Sequence, residues 1–112
     1  MDIKNVIKNP DNVKSFPKLV KNIARKYNIC LIEKNNKYAF VIFSTLNDLN
    51  MISKDVKMTS YYDMKIKCNI LYNLIYNVND LIPLYCIKDK KYKMFDLTNI
   101  EHIKNLREFL GV

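Results

Sequence analysis

Glycine is almost missing from this chain: among 112 residues there is one, Gly111, at the penultimate position. P-loops and dinucleotide-binding loops need several glycines, because the backbone must approach a phosphate where no Cβ intervenes. The nucleophile elbow of serine hydrolases needs two around its serine. All three are excluded. Three cysteines, an odd number without close spacing, build no disulfide framework and point to reduced thiols. The expected setting is therefore intracellular, whether cytoplasmic or, for a viral protein, the host cytoplasm or nucleus. No apolar run approaches the ~18 residues of a membrane span, so no membrane partner is expected. The start, Met1-Asp2-Ile3-Lys4-Asn5, leads into a polar stretch unlike a signal peptide. Arginine is rare as well, at positions 25 and 107 alone.

What fills the chain is lysine, asparagine, isoleucine, tyrosine and phenylalanine, together 59 of 112 residues. AT-rich codons encode this set, whereas the scarce glycine, alanine, arginine and proline have GC-rich ones. An AT-biased genome, such as that of a large DNA virus or phage, a low-GC bacterium or an AT-rich parasite, accounts for about half of the net charge of +8. The remainder invites a polyanion partner. About half the residues are apolar, enough for one core at this length.

A pattern recurs along the chain. Ile29 to Ile52 reads as strand, polar turn, strand and short helix, and Pro83 to Leu106 reads the same way 54 positions later. Lys34, Lys37 and Tyr38 recur as Lys88, Lys91 and Tyr92, and ten apolar positions recur as apolar residues. An amphipathic helix precedes each unit. The first has Pro17 in its opening turn, Ser15 as cap, and Leu19, Val20, Ile23, Ala24 and Tyr27 on one face. The second is expected over about 61–78, opened by Ser60 and Asp63, with Met64, Cys68, Leu71, Ile75 and Val78 as its seam and Asn69, Asn73 and Asn77 toward solvent. Residues 29–34 and 37–44 form a hairpin turning at Asn35-Asn36, since asparagine tolerates the positive φ of a tight turn. A two-residue loop sets Leu31 opposite Phe40 and Cys30 opposite Val41. Both faces of this hairpin are apolar, so it belongs at the centre of a sheet.

Thr45 to Ser53 follows as a short helix burying Leu46, Leu49 and Ile52, with an extended stretch near Val56 to Met58. The second hairpin, 83–88 with 91–97, turns at Asp89-Lys90 and reads as an edge. Thr98 to Glu101 makes a capping box for a last helix with Ile100, Ile103, Leu106 and Leu110 inward, and Gly111 ends it. The expected fold is a single α+β domain, residues 1–112, in which two helix–hairpin–helix units (17–53 and 61–110) form an antiparallel sheet packed against helices. Leu19, Ile23, Leu31, Phe40, Ile42, Leu71, Ile75, Phe95, Ile103 and Leu106 are its expected core. The element order resembles homing endonuclease cores, built from duplicated helix–hairpin units. The acidic, glycine-containing helix motif of that family is absent, and no residue or activity carries over.

Cys30, Cys68, Cys86 and His102 have the residue types of a zinc site but none of the short spacings, and each cysteine lies in an apolar segment, where it packs as a small hydrophobe. His102 has no nucleophile pattern beside it and reads as a solvent-facing helix residue. Glu33, Asp63, Asp96 and Glu101 lie near ordered elements without converging as a metal-dependent nuclease requires. No catalytic residue, metal or cofactor is expected.

Nucleic-acid binding finds two supports. One is the stripe Lys14, Lys18, Lys21, Arg25 and Lys26 opposite the apolar face of a helix. The other is the second hairpin, where Tyr85 and Tyr92 alternate with Lys88, Lys91 and Lys93, so that a basic ribbon tracks a backbone and its aromatics stack bases. The expected function is a non-catalytic accessory protein binding nucleic acid. The alternative is a protein-binding adaptor or inhibitor, or a homodimer, using Tyr61, Tyr62, Tyr72 and Tyr76 as interface anchors.

Overall fold

The computed structural model describes residues 3–7, 15–77 and 82–112. Its elements run α1 (Ile3–Ile7), α2 (Lys18–Lys26), β1 (Asn28–Lys34), β2 (Lys37–Phe43), a 3-10 helix (Leu46–Met51), β3 (Lys57–Tyr61), α3 (Met64–Tyr76), β4 (Leu84–Lys88), β5 (Lys91–Phe95) and α4 (Ile100–Leu110). The five strands make one sheet in the order β3-β1-β2-β4-β5.

Both hairpins turn on two residues with positive φ, at 51° and 62° for Asn35-Asn36 and at 52° and 61° for Asp89-Lys90. The first register is the expected one, with Leu31 opposite Phe40 and Cys30 opposite Val41. The sheet is mixed, which corrects the expectation of an antiparallel one: β2 and β4 pair in parallel, from Phe40 opposite Leu84 to Phe43 opposite Ile87. The amide of Phe40 donates to the carbonyl of Pro83 at 3.0 Å and opens that ladder. A parallel pair needs a crossover, and the 3-10 helix, β3 and α3 supply it. β3 is a full edge strand beside β1, its Lys57 across from Glu33. Lys-Met-Thr-Ser-Tyr has too little apolar alternation to declare itself, and backbone pairing with β1 holds it in place.

One face of the sheet carries the main core. Ile29, Leu31, Phe40, Ile42, Leu84, Cys86 and Phe95 pack there against Val6 and the buried faces of α2, α3 and α4. Of the ten expected core residues nine are buried, and Ile103 is half-buried against the same cluster. On the opposite face Cys30, Val41, Phe43 and Ile87 form a smaller cluster joined by Ile32, Leu49, Ile52 and Tyr85. The two halves are therefore not packed alike. Phe40 lies on the helix face, whereas its counterpart Met94 pairs with Tyr85 on the other; Val41 and Phe95 are exchanged the opposite way. An alignment of apolar positions cannot detect this inversion, because the first hairpin is apolar on both faces.

Several local expectations are corrected. Pro17 precedes α2 as its cap residue, its carbonyl accepting from Lys21 N–H at 3.1 Å, and Ser15 plays no part. α3 begins at Met64, later than expected, because Tyr61 is claimed by β3; Asp63 caps it by accepting from Ile66 N–H at 3.0 Å. Met64 is exposed, and Val78 lies outside the described residues. Asn69 is buried rather than solvent-facing. Its amide donates to Val6 O at 3.3 Å, and Asn73 donates to Asn69 O at 2.9 Å, so the asparagine ladder docks α1. Leu46 and Ile100, expected inside, are 70% and 82% exposed. α4 is capped by Asn99, whose side chain accepts from Glu101 N–H at 2.9 Å, in place of the expected Thr98–Glu101 box, since the Thr98 hydroxyl donates to Asp96.

The short helix is organised instead by Asp48, which is buried and accepts from Thr45 N–H at 2.9 Å, Ser44 Oγ–H at 2.9 Å and Ser44 N–H at 3.2 Å. Burial pushes this carboxyl up, but the hydrogen bonds from Thr45 and Ser44 outweigh it and hold its pKa below the ordinary value. Because the folded pKa is depressed, the stabilisation is complete above the unfolded value of about 3.9 and is lost as pH falls through the folded one. Asp48→Ala is expected to cost about 1–3 kcal/mol at neutral pH, read from urea melts. The gap to wild type should close under acid conditions, and a gap that stays constant to pH 2 would contradict the assignment.

Candidate nucleic-acid interface

The two basic elements meet at one end of the sheet. There α2 runs into β1, β4 turns into β5, and α4 ends. The junction is the last turn of α4. Tyr27 Oη–H donates to Leu110 O, Lys26 Nζ lies 3.5 Å from Gly111 O, and Lys88 Nζ lies 3.4 Å from Phe109 O. Carbonyls at a helix C-terminus lack intrahelical donors and carry partial negative charge, which draws ammonium groups to them. Gly111 closes the helix in the left-handed region at φ 69°, and a Cβ there would stand 3.3 Å from Lys88 Nζ. One helix end thus gathers Lys26 from α2 and Lys88 from β4.

Other cations surround this pair. Lys91 is directly across from Lys88, Lys90 occupies the exposed turn, Arg25 is exposed near the end of α2, and Arg107 lies in the last turn of α4. The carboxylates of Asp89 and Glu108 lie at the same end and offset part of the charge. Sequence reasoning left Lys90 and Arg107 out of the interface. The positive-φ Asp89-Lys90 turn, already legible, places Lys90 at the tip; Arg107 needed the docking of α4.

The remaining predicted residues divide. Lys18 is exposed about 12 Å along α2 from Lys26. Lys21 is half-buried, close enough to Cys68 of α3 that its charge, with those of Lys67 and Arg25, partly offsets the rise that burial imposes on that thiol. Lys14 lies outside the described residues. Lys93 Nζ sits 5.3 Å from the centre of the Phe95 ring, a cation–π contact toward the helices.

Tyr85 and Tyr92 do not alternate with the lysines on one surface. The pleat sends Lys88, Lys91 and Lys93 to the helix face and both tyrosines to the other. The tyrosine rings stack there, centroids 5.3 Å apart at 20°. Burial, with Tyr85 as neighbour, raises the Tyr92 phenol above its ordinary pKa.

The four tyrosines of the alternative reading form no single patch. Tyr61 and Tyr62 precede α3, while Tyr72 and Tyr76 stack on each other at 5.3 Å near its end, roughly 12–18 Å away. Tyr62 is 72% exposed, but Tyr72 is half-buried with its ring edge-on to Phe16.

Burial pushes the thiol of Cys30 up to about 12 and that of Cys86 higher still, which disfavours the thiolate needed for nucleophilic attack or metal ligation. Among the described residues no group of three or more His, Cys, Asp or Glu side chains is arranged to hold a metal ion. His102 is not solvent-facing. Its Nδ1 accepts from Asp96 N–H at 2.8 Å and its ring lies edge-on to Phe95, so it ties the end of β5 to the first turn of α4. Among the described residues no helix is long and apolar enough to cross a membrane.

No family model matches this chain, and no match was found among curated proteins or solved structures.

Proposed function

We propose that this protein is a non-catalytic accessory protein that binds nucleic acid by charge, through the end of the sheet where α2, the β4–β5 turn and α4 converge. The observation that carries the reading is the seating of Lys26 and Lys88 on one helix terminus, with Arg25, Lys90 and Lys91 exposed beside them. Phosphates spaced along a strand match cations held on a rigid frame, and their neutralisation releases condensed counterions. Binding of a labelled oligonucleotide followed at rising salt tests this. With four or five phosphate contacts, the logarithm of the association constant is expected to fall by about 3 to 4 per decade of salt. Absence of binding at about 20 mM salt, below the range where such contacts are screened, removes the reading.

A second reading, an adaptor or inhibitor acting on a protein partner, draws on exposed Met51, Met58 and Met94 around the less-covered sheet face. Methionine-rich surfaces adapt to varied partners. This reading expects an affinity that changes little with salt.

A further inference from the structure

Helices α1 to α4 pack against one face of the sheet. Among the described residues the other face is covered by the 3-10 helix and the segment after it, over part of its width. Beside that cover run two depressions of about 430 and 410 Å³. They share Ile32, Val56 and Tyr85 in their walls, so they form one continuous groove. Its floor is half-buried Ile32 over the buried side chains of Val41 and Ile87. One flank is Met51, Ile52, Ser53 and Val56, and the other is the stacked pair Tyr85 and Tyr92.

The chemistry of the rim narrows the occupant. None of the residues lining the groove is acidic; the charged ones are Lys34 and Lys37 at the tip of the first hairpin. Lys34 is paired with Asp55 at 2.7 Å, whereas Lys37 has no carboxylate partner among the described residues. Past the far end of Tyr92 the exposed Lys90 occupies the β4–β5 turn, while Lys91 faces the helices. Tyr92 is 54% exposed although its ring is already stacked on Tyr85, so the stack can be extended by another flat ring. A ligand that fits must present flat, uncharged faces to the floor and negative charge to both ends.

We infer that the open face of the sheet is a binding platform for single-stranded nucleic acid, with bases laid in the groove against Tyr92 and Tyr85 and the backbone drawn by Lys37 at one end and by Lys90, in the β4–β5 turn, at the other. This rests on the proposed nucleic-acid function and gives it a substrate class. A duplex keeps its bases stacked inward and offers the groove nothing but phosphate, so it engages the cationic end alone. Base–aromatic stacking is tolerant of sequence because every base has a π-face, and no base preference is expected from the tyrosines.

The test compares a 12-nucleotide single strand with the duplex of the same length, for the wild type, Tyr92→Leu and Tyr92→Phe. The leucine variant keeps the groove apolar and removes the ring. It is expected to lose about ten-fold or more in single-strand affinity while duplex binding stays within two-fold, and the phenylalanine variant should bind like wild type. Single-strand and duplex affinities that are equal, and equally insensitive to Tyr92→Leu, overturn the platform while leaving binding by charge intact. Failure to bind either oligonucleotide overturns both. Selective binding of an acidic aromatic peptide with no oligonucleotide binding would assign the groove to a protein segment and likewise overturn the platform.

Discussion

Replacing Arg25, Lys90 and Lys91 together by glutamate is expected to weaken single-strand binding by about two to three orders of magnitude at about 50 mM salt. Each cation that neutralises a phosphate on a single strand contributes about 0.7 to the salt exponent, so three contribute about 2, and the effect is largest where salt is low. These three are the informative choice because they are exposed and hold no part of the fold together. Lys26 and Lys88 lie closer to the centre of the cluster, but their ammonium groups also satisfy carbonyls at the end of α4. Reversing them would remove binding and loosen that helix at once, and the two effects could not be separated. Fluorescence anisotropy across a salt series gives both the affinity and the exponent. A triple variant with wild-type affinity and unchanged salt exponent would locate the binding charge elsewhere, for example on the rim of the first hairpin.

Phe40→Ala is expected to cost about 3–5 kcal/mol, a large part of the roughly 5–15 kcal/mol that holds a domain of this size together. Phe40 is fully buried on the helix face of β2, with Leu31 across from it on one side and Leu84 on the other. Truncation there removes apolar contact and leaves a void under the helices that a paired central strand cannot move to fill. Met94→Ala is the matched comparison. It occupies the corresponding position of the second hairpin, 54 residues on, yet it is 47% exposed on the opposite face. Its cost should stay within about 0.5 kcal/mol. Equal costs in urea melts would mean that the two hairpins pack equivalently after all.

The inversion behind that contrast shows where sequence reasoning stopped. Recurrence of apolar residues placed the two turns and the strands around them, since a two-residue turn with positive φ leaves little freedom in register. It could not tell which face each strand would present. Face assignment from alternation needs one polar side, and β2 is apolar on both, from Ala39 to Phe43. β3 was legible as no more than an extended stretch, because an edge strand is held by its backbone bonds rather than by side-chain burial. Asn69 and Asn73 were read as solvent-facing from their polarity; burial became tolerable once the carbonyl of Val6 accepted from their amides.

The candidate site divides along the same line. The lysines and tyrosines of the second hairpin could be named from sequence, and their alternation implied opposite faces of a strand. Which of those faces is roofed by helices depends on the docking of α4 over β4 and β5.

Residue order alone settled what depends on near neighbours: the turns at Asn35-Asn36 and Asp89-Lys90, the buried stripe of α2, the glycine stop of α4, and the burial of the three cysteines. Each follows from local dihedral preference or the spacing of apolar side chains along one element. The parallel seam between β2 and β4, the uncovered groove, and the gathering of Lys26 and Lys88 at the end of α4 belonged to the assembled protein, because they join residues about 20 to 85 positions apart. Such contacts are decided by which packed arrangement buries the most apolar surface, a property of the whole chain that no short stretch of it encodes.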